Sequence, residues 1–380
     1  MSKVGKRSLR SAFALSAGLS VIVLTPTLSA QLVGRGSASA TTQSASPMTS
    51  NIMTAAEAVA YWTPERMASA RPVGPLTVST GGALAAPAAN RATGAPGFTN
   101  GVPPGGEEAP TLPLASPGGG GGIGTLAVGY HTPIPFTRWQ YFAIYKRYPI
   151  YPVGKLFFSN DGGNWVCSGS VIAVNTVWTA GHCTSNTDGT HQWSTNVLFC
   201  PVYDNGAPNP GVGCWAGLSL STWNQWFTYN SLEWDMGSIG MSTCGTVNCM
   251  SIGNFTGWLG FAWNYPEEQH WMHFGYPQGA PFNGNKIQVC ASEFGYEDSD
   301  GNNQSGPNSL ATGCDQTGGS SGGPWIMSWG LPGQIGGGAG NWVNGHQDWY
   351  HTAFPNEINT PYFDTRACTL ANAQGLGATC

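Results

Sequence analysis

Charge is scarce in this chain: only 9% of its 380 residues are Asp, Glu, Lys or Arg, and the net charge is −5. No cluster of Lys and Arg forms a basic stripe, which argues against a nucleic-acid partner. Long apolar runs are also rare. The most extended, Ala12 to Leu24, falls short of the roughly 20 residues that a membrane-spanning helix needs. Cysteine is missing from the first 166 residues, and no two of the ten that follow stand in a C-x-x-C spacing, so a structural zinc site lacks its usual donors. Sustained helical periodicity is lacking as well.

What is present divides unevenly along the chain. Lys3, Lys6, Arg7 and Arg10 precede the apolar stretch, and small residues follow near Ser29-Ala30 or Ala38-Ser39-Ala40, the layout of a signal peptide over 1–30. Behind such a segment, an even number of cysteines reads as disulfides in an oxidising compartment. Residues 31–125 are rich in Ala, Pro, Gly, Ser and Thr and end in the run Gly118 to Gly122. Such a composition buries too little apolar surface to offset its ordering entropy, so a propeptide or linker is expected, with a retained flexible extension as the alternative. Met53 to Met67 is the exception, a short helix opened by the capping signal Thr54-Ala55-Ala56-Glu57.

Order is expected to begin between Tyr130 and Tyr151, within a domain spanning 126–380. Short apolar runs recur there between turn signals: Val153 to Ser159 before Asp161-Gly162-Gly163-Asn164, Ser170 to Thr179, Val197 to Val202, and Lys286 to Ser292. That rhythm predicts an all-β sandwich or barrel protein.

Two segments carry chemistry. Cys314-Asp315-Gln316-Thr317-Gly318-Gly319-Ser320-Ser321-Gly322-Gly323-Pro324 packs glycines around a small nucleophile, leaving main-chain N–H groups free to approach an oxyanion. Thr179-Ala180-Gly181-His182-Cys183 offers a base. Between them, Trp234-Asp235-Met236-Gly237-Ser238-Ile239 places a carboxylate among apolar neighbours, the shielding that an imidazole-orienting group requires. Asp188 and Asp204, by contrast, lie in Gly/Asn-rich loops and read as turn residues.

In the order His, Asp, Ser these segments resemble the chymotrypsin/trypsin-like serine peptidases, and more narrowly the bacterial and fungal branch related to glutamyl endopeptidases. The resemblance implies two six-stranded antiparallel β-barrels with the site in the cleft between them. It assigns His182 as general base, Asp235 as its orienting partner and Ser321 as nucleophile, with the amides of Gly319 and Ser321 as the oxyanion hole. It also implies a Cys167–Cys183 bridge beside His182. Nearest-neighbour pairing would add Cys200–Cys214, Cys244–Cys249, Cys290–Cys314 and Cys368–Cys380. A neutral His182 predicts activity rising through about pH 6 to 7.5.

One position departs from the family's pattern, and two others leave specificity open. Ser320 stands where trypsin has the Asp that pairs with a new N-terminus, so activation by propeptide removal requires another route, such as unblocking the cleft. Asp315 has the spacing of a carboxylate that selects Lys or Arg, yet the glutamyl branch carries a similar Asp that need not face the substrate. Thr317 suits recognition of Glu, but the expected strand Gln334 to Gly340 lacks the His that would accompany it. Specificity therefore stays open between these readings.

The remaining candidates are weaker. His270 and His273 have no third metal ligand nearby in sequence. The oxygen-rich loop Glu297 to Asn303 invites Ca²⁺ but departs from the EF-hand pattern. Asn254-Phe255-Thr256 and Asn303-Gln304-Ser305 fit the glycosylation pattern. The resulting expectation is a secreted, disulfide-bonded, monomeric serine endopeptidase made as a zymogen. It has no cofactor, no nucleic-acid partner, and no membrane association once its signal is removed, and it acts on protein or peptide substrates. The alternatives are an inactive binding module on the same fold and an esterase using the same three residues.

Overall fold

The computed structural model describes residues 47–51, 54–74, 76–78, 94–105, 133–140, 147–186, 190–300, 306–330 and 340–380. The expected signal peptide, Asp188, residues 334–339 and the second glycosylation pattern lie outside them.

Six strands close on themselves. They are β1 (Val153–Asn160), β2 (Gly163–Ala173), β3 (Thr176–Thr179), β4 (Thr195–Pro201), β5 (Trp215–Trp223) and β6 (Gly237–Gly245). Antiparallel pairing runs β5-β6-β3-β2-β1-β4, and β4 returns to β5, which makes a barrel without free edges. Local chemistry sets the first hairpin: Asp161 and Gly162 adopt φ of 49° and 68°, the two left-handed residues of a tight primed turn. With Asn160 opposite Gly163, the side chains of Leu156 and Phe158 face Cys167 and Trp165 across the ladder.

A second sheet holds β7 (Gly260–Trp263), β8 (His270–Gly275), β9 (Gln288–Asp298), β10 (Ser309–Gly313), β11 (Pro324–Met327), β12 (Trp342–His346), β13 (Trp349–His351) and β14 (Glu357–Thr360). Its order is β13-β14-β10-β9-β8-β11-β12-β7, antiparallel except where β7 meets β12. The ten cysteines form Cys167–Cys183, Cys200–Cys214, Cys244–Cys249, Cys290–Cys314 and Cys368–Cys380. No helix among the described residues is long and apolar enough to cross a membrane.

The expectation that order begins only after Tyr130 is overturned. Pro47–Asn51 adds to β5, Arg71–Pro72 to β2, Leu76–Val78 to β13, and Gly97–Thr99 to β7. The single helix expected over Met53 to Met67 is two: Ala55–Tyr61, capped by Thr54 in a reciprocal box with Glu57, and Pro64–Ser69, capped by Thr63. Pro64 is the reason for the break, since it fits a first helical turn but not a helix interior. Ala58, Trp62, Met67 and Ala70 are buried in the same cluster as Phe157 and Leu198. Composition misleads here because these pieces need no core of their own: they borrow ladder partners and apolar surface from a finished barrel.

Candidate functional site

His182 lies in a single 3-10 turn, Gly181–Cys183, that follows β3 directly. Cys183 is tied to Cys167 on β2, so this turn is anchored on both sides. Gly181 admits its neighbours closely: a Cβ there would stand 2.7 Å from Oδ1 of Asp235 and 2.7 Å from the Trp226 ring. Asp235 ends the turn Leu232–Trp234 just ahead of β6 and is wholly buried. Its Oδ1 accepts the His182 main-chain N–H at 2.7 Å, and its Oδ2 faces ring Nδ1 at 2.8 Å.

The charge on Asp235 governs the ring. Burial pulls the His182 pKa down, but the Asp235 carboxylate and its hydrogen bond outweigh this and raise it above the ordinary value. Trp226 packs edge-on against the ring, with centroids 6.1 Å apart, and donates its own N–H to Ser185 Oγ. On the other side, Nε2 of His182 has no hydrogen-bonding partner among the described residues. His182 lines a cleft of about 250 Å³ together with Phe158, Asn160, Asp161, Trp165, Asn186 and three residues of the N-terminal segment, Val73, Gly74 and Leu76.

Ser321 sits in the turn before β11, held beside the Cys167–Cys183 bridge by its main chain, and makes no hydrogen bond to His182 Nε2. Ser168 N–H, one residue from Cys167, donates to Ser321 O at 2.7 Å, and Cys183 Sγ is 3.8 Å from the same oxygen. Gly322 must be glycine: its φ is +77°, and a Cβ there would strike Thr179 Oγ1 at 2.0 Å. The amides of Ser320, Gly322 and Gly323 are spent on Thr317 O, Gln347 O and Ser320 O. Those of Gly319 and Ser321 donate to nothing among the described residues, so two donors stand unspent, at Ser321 itself and two residues before it.

The specificity candidates are placed differently. Asp315 pairs with Arg138 at 2.9 Å, a residue of the strand Phe136–Gln140 that adds to β9. Thr317 donates its hydroxyl to Gly279 O at 2.6 Å. Neither lines the cleft beside His182. Of the other candidates, Asp204 pairs with Lys286 and sits at a turn bridge to Ala207. His270 is exposed, whereas His273 is buried and stacked on Trp325. Asp298 faces His351 Nε2 at 2.6 Å.

One group was not anticipated. Asp348, between β12 and β13, is fully buried with Oδ1 3.4 Å from His182 Nδ1. Its burial and the neighbouring Asp235 charge push its pKa well above the usual carboxylate range. His346 lies beside it, accepting the Trp178 N–H on Nδ1 at 3.1 Å and reaching Asp235 O with Nε2 at 3.0 Å. Burial lowers the His346 pKa to about 3, so its ring is neutral. The only sequence signal is an Asp between Gln347 and Trp349, with nothing beside it that points to His182.

No family model matches the chain. An extracellular metalloprotease of Bacillus subtilis (strain 168) is 29% identical over 104 residues, which is 27% of this chain and 30% of that protein; the match spans less than a third of the relative's length. Among solved structures, the thermostable serine protease AL20 from an extremophilic microorganism is 30% identical, with 59% of this chain and 97% of that one covered and a TM-score of 0.48. Protease Anisep from Arthrobacter nicotinovorans is 26% identical, with 59% and 95% covered and a TM-score of 0.48. A Glu endopeptidase is 16% identical, with 62% and 96% covered and a TM-score of 0.46. With a closed six-stranded antiparallel barrel joined to a second, mostly antiparallel sheet, the chain has the chymotrypsin-like serine peptidase fold.

Proposed function

We propose that the protein is a secreted serine endopeptidase that hydrolyses peptide bonds through an acyl-enzyme. The observation that carries this reading is the buried His182–Asp235 pair with its unpartnered Nε2, together with a Ser321 turn that is bonded to Ser168 and packed against Cys183, the residue after His182, and that keeps two unspent amides. Ser321 attacks the carbonyl carbon as His182 Nε2 takes its proton. Asp235 holds the ring and balances the imidazolium, while the Gly319 and Ser321 amides bind the oxyanion. Collapse of the tetrahedral species returns the proton to the leaving amine. Water then repeats the sequence on the acyl-enzyme.

The N-terminal segment is read as an inhibitory pro-segment. Leu76–Val78 takes the outer edge of the second sheet beside β13, one residue from Asp348, and Val73, Gly74 and Leu76 wall the cleft at His182. An extended substrate would seek that same edge. Removal of the segment opens it, an activation route that needs no Asp at position 320. Five disulfides favour an exported protein.

The name of the Bacillus relative raises a metal-dependent reading, and His182, Asp235 and Asp348 do bring donor atoms within 4.8 Å of one another. Yet Nδ1 is already bonded to Asp235, and all three groups are buried, leaving no open position for a substrate. Labelling by a fluorophosphonate decides between the readings. Labelling that is abolished by Ser321→Ala and indifferent to a chelator is expected. No labelling of the disulfide-intact protein after removal of the segment would sink the serine mechanism.

A further inference from the structure

Two carboxyl groups and one imidazole share a fully buried space behind His182. Asp235 and Asp348 each reach Nδ1, at 2.8 and 3.4 Å, and a carboxyl oxygen of each lies within 4.8 Å of the other. Two neighbouring carboxylates without water do not both ionise, because each charge raises the cost of the other. The hydrogen bonds decide which one keeps its proton. Asp235 has an N–H donor at each oxygen, from the His182 main chain and ring. Neither oxygen of Asp348 makes a hydrogen bond to a donor among the described residues, because the Nδ1 proton 3.4 Å away is already taken by Asp235 at 2.8 Å.

We propose that Asp348 is a positioning residue for the peptidase reaction: a carboxylic acid that keeps its proton and donates it in a hydrogen bond to the Asp235 carboxylate. The assembly then carries one negative charge rather than two, and Asp235 is steered against His182 from three sides. Among the described residues, no other charged group is placed against Asp348. The titratable groups facing Asp348 are His182, Asp235 and His346, the last 4.0 Å from Oδ2. His346 brings no cation, because its Nδ1 is an acceptor for the Trp178 N–H.

The role has a definite sign. A donor on Asp235 spreads its charge and weakens its hold on the imidazolium. Loss of that donor makes Asp235 a stronger partner, so His182 keeps its proton to higher pH. Were Asp348 ionised instead, removing its charge would let His182 lose its proton at lower pH.

The inference rests on the serine-peptidase reading, and the experiment separates the two. The rate of fluorophosphonate labelling at Ser321, together with kcat and KM on a peptide substrate, is followed against pH for the activated wild-type protein, Asp348→Asn and Asp348→Ala. The amide of Asp348→Asn still offers an N–H to Asp235, so rate and pH limb are expected near wild type. Asp348→Ala is expected to lose about tenfold or more in kcat with KM unchanged, and its limb moves to higher pH. A limb lowered in both variants, or Asp348→Ala indistinguishable from wild type, overturns the proposal. Should Asp348→Ala fail to fold, Asp348→Asn decides alone: an unmoved limb supports the proposal, and a lowered one overturns it. Absence of labelling in the wild-type protein removes the peptidase reading itself.

Discussion

Asp235 binds His182 twice, through the main-chain amide at 2.7 Å and through the ring at 2.8 Å. One carboxylate thus fixes both where the residue's backbone lies and which way its imidazole points. Asp235→Asn cannot accept at both oxygens, and its amide nitrogen would face a donor or force the wrong ring tautomer. Loss of about 10⁴-fold in kcat is expected, with the fold retained and KM little changed. Circular dichroism and steady-state kinetics on one preparation check both halves.

The sequence alone places the rise in activity near the ordinary imidazole range of about 6.5. The structure moves it upward. His182 must lose its proton to act, and the Asp235 carboxylate, outweighing burial, holds that proton more tightly. The acid limb of kcat/KM is therefore expected above the ordinary value. A limb at or below it would show that Asp235 is not the dominant partner.

Trp62 anchors the N-terminal segment, packing 5.4 Å from Phe157 by ring centroid and donating its N–H to Asn196 O. Replacing a buried aromatic by Ala costs roughly 3–5 kcal/mol. Trp62→Ala in the uncut chain is expected to loosen the segment and to raise fluorophosphonate labelling of Ser321 several-fold. Cutting the wild-type chain after the segment should do the same. Equal rates before and after cutting would mean that Val73 to Val78 does not obstruct the cleft.

Lys155 is buried on β1, its ammonium donating to Gln278 Oε1 at 2.7 Å and Gly284 O at 3.0 Å. Burial pushes its pKa down to about 7 from an ordinary 10.5. Between those values the unfolded chain holds a proton that the folded chain lacks, so this group makes stability rise with pH. Lys155→Met removes that slope. The variant's stability relative to wild type is expected to be most favourable below pH 7 and to decline toward pH 10, read from urea midpoints at each pH.

Much of the site was legible because its chemistry is written in adjacent residues. Gly181 before His182 and Gly322 after Ser321 are needed for close approach, and Asp161-Gly162 dictates its turn. Asp348 was not legible, since nothing next to it in sequence hints at His182; only the strand order carries it there from 166 positions away. The N-terminal strands escaped for a related reason. Leu76–Val78 has no alternation or length to announce it, and its partner Trp349–His351 exists only once the second sheet is built. Asp315 was half legible. Its spacing suggested a specificity residue, but Arg138, 177 residues earlier, takes its charge.

Every disulfide joins cysteines at or beyond Cys167, bridging separations of 5 to 24 residues, and none reaches the segment that covers the cleft. Under the proposed pro-segment reading, that segment is presented before cleavage at an effective concentration set by the chain that joins it to the rest of the domain, about millimolar for a flexible linker. One cut between Gly105 and the strand Phe136–Gln140 turns it into a free ligand, and its hold then depends on how much of it is in solution. On the same reading, a concentrated solution of the protein would stay quiet after cutting, and dilution would complete what the cut began.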